Sequence, residues 1–187
     1  MKSFLPLVVL GLGSNLGDSR QIILDAVKVL EGVLTDLRMA SLYETLPMHV
    51  TDQNSFINTA VAGFFPGIKR KTKNVATKNL TTEDAELNSG TPMKLLSIIN
   101  KIEVQFGRNR KQERRWGERY LDIDILLFGN LAVNKPDITI PHPRLTERRF
   151  ALQPLLELLP EAIEPETGVS YRKICDALPD QGVRKER

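Results

Sequence analysis

Apolar residues recur at two spacings along the chain, and their order predicts a series of strands and helices. The continuous apolar run over residues 4–12 is typical of a buried strand. Residues 22–30 then repeat apolar side chains at helical spacing, after Asp18 and Gln21 have supplied the residue pair of a capping box. Gly32 is a residue type that commonly ends a helix. The pattern therefore predicts a strand followed by a helix.

Three more strands and a second helix are predicted downstream. Residues 37–45 and 56–65 indicate two strands, with a polar loop between them. Thr91 and Pro92 form a typical helix start, with a hydroxyl at the N-cap and proline at the first helical position. Residues 121–128 then predict a strand. The order strand–helix–strand–strand–helix–strand is that of the split βαβ pattern.

The C-terminal third predicts an extension to this core. Gly129 and Asn130 favour a turn that leads the strand over residues 121–128 towards residues 131–133, and residues 139–140 are short and extended. Residues 148–159 and 171–178 predict two helices. We therefore predict an α+β fold, with a ferredoxin-like βαββαβ core, an antiparallel sheet and a C-terminal helical and hairpin extension.

Length and composition indicate one globular domain over residues 1–187, since 41% of the residues are hydrophobic and 26% are charged. Residues 66–90 lack periodicity and are rich in Lys, Thr, Asn and Ser, so we expect a flexible insertion there. A single cysteine, Cys175, excludes an internal disulfide and favours a cytoplasmic location. The net charge of +3 is modest, and no segment has the ~20 apolar residues of a membrane span. We expect no membrane or nucleic-acid partner, and a monomer.

The most distinctive local feature is a pair of aspartates on a predicted strand. Asp122 and Asp124 alternate with Ile123 and Ile125, so both carboxylates lie on one face, about 7 Å apart. Such a pair suits Mg²⁺ bound to phosphate oxygens. A strand with a merely polar outer face is the alternative.

A cationic segment lies just upstream of the aspartates. Its basic residues are Arg108, Arg110, Lys111, Arg114, Arg115 and Arg119, with Trp116 among them. Arginine binds phosphate through two parallel hydrogen bonds, and tryptophan can stack on a base. The combination indicates a polyphosphate substrate; a solvated loop or an RNA-binding arm is the alternative.

Two further segments indicate parts of a binding site. The glycines of residues 11–17 do not have the spacing of a dinucleotide fingerprint, and we interpret them as a tight strand-to-helix turn lining the site. Phe56 offers a ring for stacking, and Asn58 offers both a donor and an acceptor to a flat heterocycle. A core phenylalanine and a loop-capping asparagine are the alternative.

In these features the chain resembles the 6-hydroxymethyl-7,8-dihydropterin pyrophosphokinase (2-amino-4-hydroxy-6-hydroxymethyldihydropteridine diphosphokinase) family. The run over residues 115–126, RWGERYLDIDIL, is similar to the family signature at each defining position. Further matching blocks follow the family order, at residues 13–17, 43–47, 56–58, 102–103, 107–108, 127–130 and 140–143. The resemblance implies transfer of diphosphate from Mg·ATP to the pterin alcohol, giving the pterin diphosphate and AMP in tetrahydrofolate biosynthesis.

The resemblance also implies roles for individual residues. Asp122 and Asp124 would hold two Mg²⁺ on ATP, while Arg108, Arg115 and Arg119 would hold the phosphates. The implied ATP contacts are Glu103, Arg110, Trp116, Ile125, Thr139, His142 and Arg148. The implied pterin contacts are Phe56, Phe150 and Asn58, with the backbone of Thr45, Pro47 and Met48.

Some positions depart from the family pattern. Phe56 stands where tyrosine is frequent, Asp137 where some members have arginine, and Pro143 where tyrosine is frequent. One extra residue in the cationic segment leaves open whether Arg114 or Arg115 faces the phosphates. Three rival functions remain: an RNA-binding module, a nucleotidyltransferase that releases pyrophosphate, and a non-catalytic scaffold.

Overall fold

The computed structural model describes residues 5–47, 52–66, 91–108 and 117–186. Its strands are β1 (Leu7–Ser14), β2 (Thr35–Met39), β3 (Tyr43–Thr45), β4 (Phe56–Phe64), β5 (Asp122–Phe128), β6 (Val133–Lys135), β7 (Ile138–Ile140) and β8 (Arg184–Lys185). Its helices are α1 (Ser19–Leu30), α2 (Pro92–Gln105), α3 (Arg149–Leu158) and α4 (Tyr171–Ala177), with a 3₁₀ turn at Leu145–Glu147.

The main sheet has the strand order β5-β1-β4-β3-β8, and β2 pairs with β4 beyond the end of β3. Every pairing in it is antiparallel, and β6 and β7 form a separate antiparallel pair. The predicted α+β class with an antiparallel sheet is confirmed. The single strand predicted over residues 37–45 is wrong: residues 40–42 are not strand, although the Ala40 N–H still donates to the Ala60 carbonyl at 2.9 Å, and β2 and β3 pair with β4 as separate strands.

The two faces of the sheet carry different layers because successive side chains on a strand point to opposite faces. One face buries Leu10 and Ile123 against α1 and α2. The other face buries Val9, Ala60 and Leu126 against α3 and α4. The C-terminal helices cover only part of this second face, and the polar ends of β1, β4 and β5 extend beyond them.

The ends of the helices test the predicted caps. Asp18 accepts a hydrogen bond from the backbone N–H of Gln21 at 3.1 Å, as the capping box predicts. Thr91 is the N-cap of α2 and Pro92 its first residue, as predicted, although the Thr91 hydroxyl makes no capping hydrogen bond. Cys175 is buried and unpaired. The predicted insertion over residues 66–90, except for its first residue, lies outside the described residues.

None of the helices in the described part of the chain combines the length and the apolar character needed to cross a membrane.

Candidate active site

The floor of the cleft is made by three adjacent strands. Gly13 on β1 pairs with Asp122 on β5 and with Asn58 on β4, while Gly11 pairs with Asp124. Directly paired residues share a face of the sheet, so both carboxylates and the Asn58 amide project from the same face. Because the two glycines between them have no side chains, the floor stays open from the carboxylates to Asn58.

Both glycines also have close neighbours that a Cβ atom would contact. A Cβ atom at Gly13 would lie 3.0 Å from Oδ1 of Asn58, and one at Gly11 would lie 3.3 Å from the side chain of Leu126. The first contact is with a polar atom of a buried residue and the second is with the end of an aliphatic side chain. Gly11 and Gly13 line the cleft as predicted, but the prediction that they form the strand-to-helix turn is wrong, because both lie within β1; of the three glycines in residues 11–17, only Gly17 lies in the turn.

Asp122 is surrounded by cationic groups. Nη1 of Arg108 lies 2.8 Å from its Oδ1, and Arg119 pairs with its Oδ2. Arg108 is also paired with Glu103, whose side chain is only 1% exposed. The Glu103 carboxylate accepts a hydrogen bond from the backbone N–H of Ile123 at 2.9 Å. A buried carboxylate on α2 thus fixes Arg108 beside the start of β5.

Asp124 lies in a less cationic environment than Asp122. Nε2 of His142 is 3.7 Å from its Oδ2, and Nη1 of Arg148 is 3.9 Å away. Partial desolvation in the cleft, together with the negative charge of Asp122, raises the pKa of Asp124 above its ordinary value. A cation bound between the two carboxylates would offset both the desolvation of Asp124 and its repulsion from Asp122, and would so lower the pKa of Asp124.

His142 is neutral in this environment. Burial and the nearby positive charge of Arg148 lower its pKa to about 4. Its Nδ1 accepts a hydrogen bond from the backbone N–H of Arg144 at 3.1 Å. The proton of the neutral ring is therefore on Nε2, the nitrogen that faces Asp124.

Next to the carboxylates, aromatic and amide groups form a slot. Phe56 and Phe150 both line the cleft. Nδ2 of Asn58 donates to Oγ1 of Thr45 at 2.8 Å, so this buried amide is held in one orientation. The Arg148 guanidinium lies 5.5 Å from the centre of the Phe150 ring, in cation–π geometry.

The structure brings nine of the sequence-predicted site residues together in the lining of this one cleft. They are Thr45, Phe56, Asn58, Arg119, Asp122, Asp124, His142, Arg148 and Phe150. Glu103 and Arg108 adjoin it through Asp122.

Other predicted residues lie elsewhere or outside the described part. The Ile125 side chain is buried in the core on the opposite face of the sheet, and Thr139 lies on β7, where its hydroxyl faces Asn134. Neither these two nor Pro47 lines the cleft. Met48, Arg110, Arg115 and Trp116 are outside the described residues. The roles of all seven stay predictions.

Several residues around the cleft were not singled out from the sequence. Oδ1 of Asn15 accepts a hydrogen bond from the backbone N–H of Arg119 at 2.8 Å, and its Nδ2 donates to Gln53 at 3.1 Å. Arg144 also lines the cleft, one turn before Arg148. The position of Asn15 immediately after a buried strand could have indicated its role, because a polar residue that is buried there needs hydrogen-bond partners within the protein.

The carboxylate pair fits a hard divalent cation that is completed by substrate. The side chains of Asp122 and Asp124 are 25% and 40% exposed, so oxygen atoms of both can be reached from the cleft. Among the described residues, no group of three or more His, Cys, Asp or Glu side chains could hold a metal ion by itself. Mg²⁺ commonly binds through one or two carboxylates together with phosphate oxygens and water, which matches this donor set.

The chain is similar to known proteins over most of its length. The family model described as 7,8-dihydro-6-hydroxymethylpterin-pyrophosphokinase matches residues 9–83 and 74–160. A 2-amino-4-hydroxy-6-hydroxymethyldihydropteridine pyrophosphokinase of Methylorubrum extorquens is 37% identical over 179 residues, which cover 94% of this chain and 96% of the relative. The protein of the same name from Aquifex aeolicus is 35% identical over 166 residues, 89% of this chain and 86% of the relative.

Longer relatives are also similar. A protein of Arabidopsis thaliana named folate synthesis bifunctional protein, mitochondrial, is 36% identical over 90% of this chain, but the match covers only 26% of the relative. The chain thus spans about a quarter of the length of such relatives. A crystal structure described as HPPK-DHPS in complex with substrates superposes with a TM-score of 0.67 at 13% identity, covering 97% of this chain and 46% of that one.

Proposed function

The chain belongs to the 7,8-dihydro-6-hydroxymethylpterin-pyrophosphokinase family, and from this premise we propose that it transfers diphosphate from Mg·ATP to 6-hydroxymethyl-7,8-dihydropterin in folate biosynthesis. The products are the pterin diphosphate and AMP. One observation carries the proposal: a carboxylate pair, several arginines and two phenylalanines line a single cleft. Together they supply the three recognition elements that an ATP-dependent transfer to an aromatic alcohol requires.

The arginines around Asp122 supply the charge for the polyphosphate. Arg108 and Arg119 bind Asp122 through their guanidinium groups, and both can turn to phosphate oxygens once a cation takes over the carboxylate. Arg148, between Asp124 and the Phe150 ring, adds a third positive charge at the other side of the pair. Arg115, outside the described residues, is assigned to the phosphates on the family resemblance.

Asp122 and Asp124 would hold two Mg²⁺, which supply charge neutralisation on the phosphates when bound. His142, kept neutral by its surroundings, adds no competing positive charge next to Asp124 and presents Nε2–H to the nucleotide. Glu103 does not itself bind the substrate in this proposal; it holds Arg108 in place through their ion pair.

The pterin is placed in the slot between Phe56 and Phe150. Its flat ring stacks between the two side chains, while Asn58 and the backbone of Thr45, Pro47 and Met48 bind its polar edge. The fixed Asn58–Thr45 hydrogen bond supports this assignment, because an amide held in one orientation selects one donor and acceptor pattern.

In the reaction the hydroxymethyl oxygen of the pterin attacks the β-phosphorus of ATP in line. The new P–O bond forms as the bond from the β-phosphorus to the α–β bridging oxygen breaks, AMP leaves, and the hydroxyl proton passes to solvent. Phosphoryl transfer has a loose transition state, so positioning and charge neutralisation dominate the rate. The rigid strand β5 and the glycine floor of β1 provide the positioning.

The finer architecture follows the same proposal. The strand order β5-β1-β4 with β2 and β3 on the far side of β4, and α1 and α2 packed on one face, supports a ferredoxin-like core. We assign residues 1–187 to one pyrophosphokinase domain that acts as a monomer in the cytoplasm, and sedimentation at working concentration tests the oligomeric state.

Product analysis tests the function directly. The chain is incubated with Mg·ATP and the pterin alcohol, and AMP, ADP and pyrophosphate are separated by chromatography. AMP formed in step with a pterin diphosphate is the expected result. Pyrophosphate would favour the nucleotidyltransferase, ADP would indicate transfer of the γ-phosphate alone, and the absence of any ATP binding would favour the RNA-binding module.

A further inference from the structure

Glu157, in the last turn of α3, is bonded to parts of the chain that are distant in sequence. Its carboxylate accepts hydrogen bonds from the backbone N–H of Ser41 at 3.2 Å, from the Ser41 hydroxyl at 2.8 Å and from the Tyr43 hydroxyl at 2.9 Å. Nζ of Lys185 on β8 lies 3.1 Å from the same carboxylate. Four donors from the edge of the sheet therefore converge on one side chain of a helix that also forms part of the cleft.

Helix α3 is long enough to cross the cleft face from β5 to β3. Near its first turn Arg148 lies beside Asp124 on β5, and at its last turn Glu157 contacts Tyr43 on β3. Its ten residues make about 15 Å at the usual rise per residue. The three strand spacings from β5 to β3 make about 14 Å. The helix thus spans the sheet and is held at both ends.

The two walls of the slot lie on the two parts that Glu157 connects. Phe150 is carried by α3, whereas Phe56 and Asn58 are on β4. Tyr43 on β3 pairs directly with Asn58, and Thr45, two residues further along β3, accepts the Asn58 hydrogen bond. The Glu157–Tyr43 contact is therefore a side-chain link between the helix that carries one wall and the strands that carry the other.

The C-terminal segment, residues 181–186, makes a second set of contacts that hold α3. Oε1 of Gln181 accepts a hydrogen bond from the backbone N–H of Arg149 at 2.8 Å, and its Nε2 donates to the carbonyl of Glu147 at 2.8 Å. Further along, the backbone N–H of Glu186 donates to the carbonyl of Leu42 at 2.9 Å. The segment runs beside α3 from its first turn to its last, and it delivers Lys185 to Glu157.

We propose that Glu157 is a positioning residue for the pterin: by fastening the end of α3 to Ser41 and Tyr43, it fixes the separation between Phe150 and Phe56. The inference rests on the proposed function, because it takes the space between the two rings as the pterin site. Glu157 does not line the cleft, so it acts through the two walls and not by touching the substrate.

The test compares Glu157→Gln and Tyr43→Phe with the wild type, at a temperature well below the unfolding midpoint of every variant. Calorimetric titration with the pterin, in the presence of Mg²⁺ and a non-hydrolysable ATP analogue, gives its Kd, and AMP release at saturating substrates gives kcat. The pterin Kd should rise about tenfold in Glu157→Gln, since a displaced wall weakens stacking on both sides of the ring. The nucleotide Kd and kcat should stay close to the wild-type values.

Glu164→Gln is the matched control. Glu164 is likewise a carboxylate that accepts backbone N–H and hydroxyl hydrogen bonds, here from Thr167 and both at 2.7 Å, in a loop away from the slot; it is buried, whereas Glu157 is partly exposed. This variant should unfold at a lower temperature and bind pterin normally. If Glu157→Gln likewise lowers only the unfolding temperature, the positioning role is overturned.

The variant that combines Glu157→Gln with Tyr43→Phe adds a second criterion. If Glu157 and Tyr43 act through one contact, their combined effect on the pterin Kd is smaller than the sum of the single effects in free energy; full additivity would contradict the inference. A wild-type chain that binds the pterin without forming AMP refutes the proposed function alone, and the Kd comparison still decides the inference. A wild type that does not bind the pterin overturns both.

Discussion

Replacing Gly13 by alanine tests the glycine floor of the cleft. Gly13 is extended strand backbone, so alanine is not excluded by its conformation. The added Cβ would lie 3.0 Å from Oδ1 of Asn58. Asn58 is buried and bonded to Thr45 at 2.8 Å, so it cannot move away without breaking that bond.

The expected cost follows from this contact. Overpacking a well-filled site typically costs about 1–3 kcal/mol. If the whole of that cost falls on the pterin, through the displaced Asn58 amide, its KM rises between about fivefold and about 150-fold. The KM for ATP should change much less, because the Cβ meets Asn58 and not the carboxylates.

Gly11→Ala is the control from the same strand. Its Cβ would lie 3.3–3.4 Å from the Cγ and Cδ atoms of Leu126, an apolar contact that involves neither Asn58 nor the carboxylates. Steady-state AMP release with each substrate varied in turn gives both KM values for the two variants. If Gly13→Ala and Gly11→Ala have the same pterin KM, the claim that Gly13 keeps space for Asn58 is incorrect.

Three further predictions concern charged groups. Asp122→Asn and Asp124→Asn should each lower kcat by about two orders of magnitude or more and weaken Mg²⁺ binding, with an unchanged circular dichroism spectrum; full turnover in both would end the metal assignment. Arg119→Ala should lower kcat more than pterin affinity, since the partner charge develops during transfer, and a change in the pterin Kd alone would contradict this. Burial works to raise the pKa of Glu157, but hydrogen bonds from Ser41 and other donors outweigh it and hold the pKa below the ordinary value. The contribution of Glu157 to stability is therefore complete above the unfolded-state pKa of about 4.3 and is lost as pH falls through the lower folded-state value. Unfolding midpoints of wild type and Glu157→Gln should converge in acid, and a constant gap down to pH ~3 would refute the reasoning.

The part of the site that lies on one strand could be predicted from the sequence. The strand period of two places Asp122 and Asp124 on one face and Ile123 on the other, and the structure has this arrangement. Apart from the split between β2 and β3, the order of strands and helices in the core could also be predicted from the sequence, because apolar spacing depends only on neighbouring residues. These features depend on residues within a few positions of one another.

Features that depend on distant contacts could not be predicted in the same way. The break between β2 and β3 arises where each strand separately follows β4, and no residue in 40–42 is a strong breaker. Glu157 contacts Ser41 across 116 positions of sequence, and no local pattern encodes such a pair. Thr91 occupies the N-cap position, but its hydroxyl makes no capping hydrogen bond. Such a bond depends on the side-chain rotamer, which the residue type alone does not determine.

ATP radiolabelled at the β-phosphate tests the central claim most directly. After incubation with Mg²⁺ and 6-hydroxymethyl-7,8-dihydropterin, the label is located by chromatography, with Asp122→Asn as the inactive control. The account predicts that the label moves into the pterin product while AMP is released unlabelled. Label retained in ADP, or released as pyrophosphate, would contradict diphosphate transfer at this site.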